Sequence, residues 1–189
     1  MKRIACLLML LVVVAGVVAS SAPVTGHADG EAAPIYGVKI PLGYRDWTLI
    51  SIASVGTPVN DMRAKLGNDL AMKAYREGMT PFPDGTIIAR LAWNQTASEE
   101  NNKVVRAAAL KQGLSADAVQ TLLNNSFVAG SPTNVQFMVK DSKKYASTGG
   151  WGFAQFTNGK PDGEAVHKTC FVCHEPAKEH DFVFTRYVP

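Results

Sequence analysis

From about residue 44 onward the chain alternates β-patterned runs with helical ones, and Gly, Pro and Asn punctuate the joins. Trp47 to Val55, WTLISIASV, is β-branched and apolar-rich and predicts a strand. Asn68 predicts the cap of a helix to Glu77, with Gly78 as its stop. Leu70 with Ala74, and Ala71 with Tyr75, give that helix one apolar stripe. PFPDG, 81–85, reads as a turn, and Thr86 to Trp93 as a second strand. Ser98, backed by Glu99 and Glu100, caps a helix through about Lys111 that Gly113 breaks; Ser115 caps another ending near Asn125. Asn134 to Lys140 predicts a third strand, and TGGWGFAQFT turns at Gly149-Gly150 and runs as a fourth. After turns at Asn158-Gly159 and Pro161 to Gly163, Glu164 to about His174 predicts a helix, and Asp181 to Tyr187 a fifth strand. Strands interleaved with single helices and tight turns predict an α+β domain: an antiparallel sheet of about five strands with helices packed on it.

The first 28 residues follow a different pattern. Lys2 and Arg3 precede an almost wholly apolar run of 15 residues, Ile4 to Val18, which is short for a membrane span. Small residues follow, at Ala19 to Ala22 and again at Gly26-His27-Ala28. This layout predicts a secretory signal peptide over residues 1–28, with an uncleaved anchor as the alternative. Cys6 opens the apolar run instead of following it, which argues against a lipoprotein. Residues 29–43, Gly-, Pro- and Ala-rich, are expected to form an extended arm, and residues 44–189 a single domain, soluble once the leader is removed.

Composition changes little until the leader is set aside. Of 19 basic residues, 17 remain against 16 acidic ones, so the net charge falls from +3 to +1. No basic run or basic-aromatic stripe exists, which excludes nucleic acid as the expected partner. Cys6 also leaves, and the remaining cysteines, Cys170 and Cys173, are too close in sequence to staple the fold.

Those two cysteines lie in KTCFVCHEP, with His174 directly after the second. A zinc site needs about four ligands, usually as two pairs, and neither His167 nor His180 forms a second pair at the usual spacing. A redox C-x-x-C favours a preceding βαβ pattern, which is missing. In an exported chain, C-x-x-C-H points first to a c-type haem site. Two thiols one helical turn apart bond covalently to the two vinyl groups of one porphyrin, and His174 then lies beneath the ring as axial iron ligand. Glu164–His174 is then the haem-binding helix, close to the C-terminus. Only fifteen residues follow His174 and none is Met, unlike small electron-transfer cytochromes c; the β-patterned runs exclude a four-helix cytochrome c′.

Several other side chains invite a role but have simpler readings. His167 shares the helix of His174 and cannot reach the opposite haem face, so it is expected at the surface or behind the ligand. His180 is expected in a solvated loop, and Met62, Met72, Met79 and Met138 as packing residues. Arg45, Arg90 and Arg186 are candidates for haem propionates, and Phe82, Phe137 and Phe153 for the distal face, with surface and core roles as their defaults. The helix from Ser98 to Lys111 is most simply a solvated one.

Five blocks carry a resemblance. YRDW (44–47), LGNDLAMKAYREG (66–78), PFPDGTIIARLAW (81–93), FMVKDSKKYASTGGWGF (137–153) and CFVCHEPAKEHDFVFTRYVP (170–189) are similar, in this order, to the cytochrome P-460 family, which includes the β-sheet cytochromes c′-beta. Alanine-rich Arg106 to Asn125 is longer than the family pattern implies and reads as an insertion. The resemblance implies a sheet-rich, usually dimeric, periplasmic monohaem protein with five-coordinate iron and His174 as proximal ligand. It implies binding or scavenging of nitric oxide, with carbon monoxide as a further ligand, or hydroxylamine oxidation in the enzymes proper. A simple electron carrier with its redox partner protein is the remaining alternative. The enzymes look as if they need a lysine linked to the porphyrin edge. The position expected for it is Arg90 here, whose guanidinium is a poor nucleophile. Lys73 and Lys140 are the reserve candidates. An unlinked haem, with Arg90 facing a propionate or the bound ligand, is therefore expected. Period-2 alternation groups Arg90 with Thr86, Ile88 and Ala92.

Overall fold

The structure, a computed structural model, describes residues 30–188; the expected leader lies outside the described residues. Six strands form one antiparallel sheet in sequence order: β1 (Thr48–Val55), β2 (Asp61–Gly67), β3 (Ile87–Thr96), β4 (Val128–Lys140), β5 (Trp151–Thr157) and the two-residue β6 (Lys160–Pro161). Helix α1 (Asp69–Glu77) joins β2 to β3, the pair α2 (Glu99–Lys111) and α3 (Ala116–Asn124) joins β3 to β4, and α4 (Glu164–His174) follows β6. The α+β prediction holds, with two strands gained, β2 and the short β6, and one lost.

Local chemistry accounts for the helix ends. The Asn68 side chain accepts from Ala71 N–H, Ser98 from Asn101 N–H and Ser115 from Ala118 N–H, each satisfying a first-turn donor that has no partner inside its helix. Gly78 closes α1 at a φ of 64°, a left-handed conformation that glycine reaches without steric cost.

The longer strand gained is β2. DMRAKLG alternates Asp61, Arg63 and Lys65 with Met62, Ala64 and Leu66, but so many charges read poorly as a strand. Pairing with both β1 and β3 overrides that propensity. The strand lost is Asp181 to Tyr187, which is irregular. Asp181 and Phe182 have φ of 53° and 64°, which turns the chain out of an extended path. Val183 is buried over the sheet, and Tyr187 meets Tyr75 of α1. Residues 30–43 also depart from expectation. They make a tight turn, closed by Ala33 N–H to Val38 O at 2.8 Å, and both residues are buried.

The sheet buries both faces. Leu66, Ala89, Leu91, Phe137, Ala154 and Phe156 lie on one, under Ala33, Val38 and Tyr44. Ile50, Ile88, Trp151 and Phe153 lie on the other, under α1, α4 and Val183. The alternation within β5 (Trp151 and Phe153 one way, Ala154 and Phe156 the other) is the period of the pleat. Fully burying Phe137 and Phe156 is worth roughly 1.5–3 kcal/mol each.

Candidate functional site

Helix α4 turns its Cys-His motif toward the sheet. His167, Cys170, Phe171 and His174 recur at helical spacing; His167 is fully buried and Cys170, Phe171 and His174 are half-buried, while Cys173 is more exposed. Between α4, the sheet and Val183 to Thr185 lies a cavity of about 360 Å³, with Cys170, Cys173 and His174 all in its wall. Burial and then the neighbouring Cys173 push the Cys170 thiol up.

His174 is held in one orientation. Its Nδ1–H donates to the Phe182 carbonyl at 2.8 Å, leaving the Nε2 lone pair free. Its ring lies 5.0 Å from Phe153 and 5.2 Å from Phe184, centre to centre. Burial holds its pKa below the ordinary imidazole value, and the Phe182 bond only partly opposes this, which favours the neutral ring with its lone pair available.

The carbonyl that orients His174 is itself anchored. Lys140, nearly fully buried at the end of β4, donates to Asp181 Oδ1 at 2.7 Å, Asp181 Oδ2 at 2.9 Å and Gly149 O at 3.0 Å. Asp181 Oδ2 also accepts from Phe82 N–H at 2.8 Å. A buried ion pair satisfied this fully fixes the left-handed Asp181-Phe182 corner.

His167 locks the other end of α4. Its Nε2 accepts from Gln155 N–H at 3.1 Å, and its Nδ1–H donates to Gly163 O at 3.0 Å. The expected surface position is thus corrected: His167 is a buried bridge between α4 and β5.

Opposite the motif the cavity wall is cationic. Strand register sets Lys65, Arg90, Gln136 and Gln155 in one cross-strand row, with Ile88, Met138 and Phe153 in the next. Arg90 donates to Asn134 Oδ1 at 3.0 Å and to Asp61 Oδ2, which also accepts from Arg63 at 2.7 Å. Arg63 and Arg90 therefore share one carboxylate, with Lys65 next to Arg90 across the strand pair. Burial, then the charges of Arg63 and Arg90, lowers the Lys65 pKa. Like charges directly across two strands cost stability. Arg63 Nε is also buried without a partner among the described residues.

Other candidates fall elsewhere. Arg45 lies over the Tyr44 ring at 5.2 Å, and Arg186 donates to the carbonyls of Val183, Phe184 and Thr185. Neither lines the cavity. Lys73 is exposed on α1 and Lys140 is spent in its ion pair, so the cavity lysine is Lys65, on a strand that the sequence pattern did not predict. Phe137, Phe153 and Met138 line the cavity; Phe82 packs on Trp151 and Tyr75 instead. Met72 is core, Met79 is exposed and His180 is exposed on a 3-10 turn.

The residues present fit a haem. Two thiols and one oriented, neutral imidazole share a wall, and across the cavity an excess of two positive charges faces the space where two propionates would be balanced. Among the described residues no cluster of three or more His, Cys, Asp or Glu side chains could hold a bare metal ion. The sequence model of one family, described as cytochrome P-460, matches residues 41–185. No curated protein matches the chain.

Proposed function

The chain belongs to the cytochrome P-460 family and is therefore a haem protein, and from that premise we propose that it is an exported monohaem protein that binds nitric oxide. Cys170 and Cys173 would hold the haem covalently, and His174 Nε2 would bind its iron. The observation that carries this reading is the His174 Nδ1–H bond to Phe182 O at 2.8 Å, which leaves one basic nitrogen facing the cavity. When bound, the haem iron supplies an open position for a small neutral ligand. Support for an open position is that no second imidazole lines the cavity among the described residues. Arg63, Lys65 and Arg90 hold the propionates or the bound ligand, and the leader pattern of residues 1–28 supports a periplasmic location.

Intact mass of the purified protein should equal the cleaved chain plus one haem. Replacing both Cys170 and Cys173 by Ala should make that haem extractable by acid acetone. The ferrous form should bind NO and CO, and His174→Ala should lose the native ferrous spectrum. Met138→Leu should leave the ferric spectrum unchanged, because Met138 is assigned to packing. A Met138-dependent low-spin ferric spectrum would remove the open position and sink the reading.

A second reading, hydroxylamine oxidation, is favoured by one observation: Lys65 lines the cavity with a lowered pKa, directly opposite Arg90. A lysine that loses its proton is a nucleophile that Arg90 is not. Tryptic mapping separates the two readings. A haem-linked Lys65 peptide together with hydroxylamine turnover supports the enzyme; haem on the Cys170 peptide alone supports the ligand-binding protein.

A further inference from the structure

A row of aromatic rings leads from the wall of the cavity to the tight turn of residues 33–38. The His174 ring lies 5.0 Å from Phe153, Phe153 lies 5.5 Å from Tyr36, and Tyr36 lies 6.0 Å from Tyr145, centre to centre. Tyr36 meets both of its neighbours edge to face, at 70°. The turn holds it there. Its carbonyl accepts from the Tyr145 hydroxyl at 3.0 Å, and its N–H donates to Pro34 O at 2.9 Å. Burial, and after it the charge of a Cys170 thiolate, raises the Tyr36 pKa, so the phenol is protonated at neutral pH and lies near the Cys-His motif. Tyr36 does not line the cavity, so binding haem or a small ligand gives it no role.

Two features separate Tyr36 from the other oxidisable rings nearby. The first is charge. Arg45 lies over Tyr44 at 5.2 Å, Lys144 over Tyr145 at 5.0 Å and Lys140 over Trp151 at 5.0 Å. A ring that gives up an electron becomes positive, and a cation over its face opposes that loss. No cation lies over Tyr36 among the described residues. The second is the proton, which a phenol sheds when it is oxidised at neutral pH. Tyr75 and Tyr145 donate to the carbonyls of Thr185 and Tyr36, and a carbonyl accepts a hydrogen bond without taking the proton. Tyr36 is only half-buried, and its hydroxyl is not among the buried polar atoms without a partner, so its proton can pass to water.

We propose that Tyr36 is a redox-active tyrosine that returns an electron to the haem site after attack by hydrogen peroxide, with Phe153 and His174 as the contact between them. This rests on the covalent haem and open position argued above. Peroxide takes two electrons from the ferric site and, with two protons, leaves as two waters. Tyr36 restores one of those electrons. Its O–H bond breaks, the electron crosses by way of Phe153, the proton passes to water and a neutral tyrosyl radical remains. An external one-electron donor such as ascorbate, with one proton, regenerates the phenol, and a second equivalent of the donor supplies the other electron. The oxidising equivalent thus leaves through the turn of residues 33–38 instead of attacking the porphyrin.

Rapid-freeze electron paramagnetic resonance of the ferric holoprotein mixed with hydrogen peroxide tests this. A tyrosyl radical is expected, and a nitroso spin trap should leave its adduct on the tryptic peptide that ends at Lys39. Tyr36→Phe keeps the ring and its packing; it should lose the radical and the adduct, and its haem should bleach faster under peroxide. Tyr44→Phe and Tyr75→Phe should keep the wild-type radical. The ferrous–CO spectrum of each variant verifies the haem site and its open position. A wild type that binds CO but forms no radical overturns the proposal and leaves the ligand-binding reading standing. A radical that survives in Tyr36→Phe, or an adduct confined to other peptides, overturns it too. A ferrous form that binds no CO removes the open position, and the proposal falls with it.

Discussion

His167 shows how much one side chain can carry in this fold. It is fully buried, and its two ring nitrogens bind the Gln155 N–H and the Gly163 carbonyl. His167→Ala removes both bonds and leaves a cavity, so a loss of about 2–4 kcal/mol is expected by denaturant unfolding. Cys170, Cys173 and His174 were legible in the sequence because their chemistry depends on spacing along one helix. His167 was misjudged because helical spacing from His174 does not say what lies above the helix. Lys65 was missed for a related reason: it faces the cavity only because β2 pairs with β3 in the register Lys65 to Arg90.

At the scale of elements, the site depends on a short relay. Lys140 on β4 fixes Asp181, the Asp181-Phe182 corner fixes the Phe182 carbonyl, and that carbonyl fixes His174. Lys140→Ala strands a buried carboxylate and should cost about 3–5 kcal/mol. Lys140→Met with Asp181→Leu, which removes both charges, should cost less. Both variants should shift the ferrous spectrum, a readout that a purely structural pair would not move. Gly149→Ala reaches the same relay sterically. A Cβ there would sit 2.0 Å from the Phe182 ring, at a φ of 67°. It should displace Phe182 and perturb the His174 environment in the same direction. Most helices and strands were readable from caps, turns and periodicity, whereas the last predicted strand failed because burial over α1 and the Lys140 anchor bend it.

Across the whole molecule, alkaline stability reports how the C-terminal segment closes the fold. Tyr75 packs on Phe82 and Tyr187 and donates to Thr185 O at 3.4 Å. Burial raises its pKa well above the ordinary 10.0. The folded phenol therefore keeps its proton where the unfolded one has lost it. Its contribution is complete below pH 10 and declines as pH rises above that, by up to about 1.4 kcal/mol per pH unit. A series of melting temperatures across the alkaline range should fall less steeply in Tyr75→Phe than in the wild type; parallel curves would contradict the assignment. The sequence by itself determined the α+β class, the capped helices and the Cys170, Cys173, His174 motif, because each depends on residues a few positions apart. Only the tertiary structure decided the cationic wall of Arg63, Lys65 and Arg90, the burial of His167 and the Lys140–Asp181 anchor. Those depend on strand register and on contacts between residues as far apart in the chain as Phe82 and Asp181, and local pattern carries no information about either.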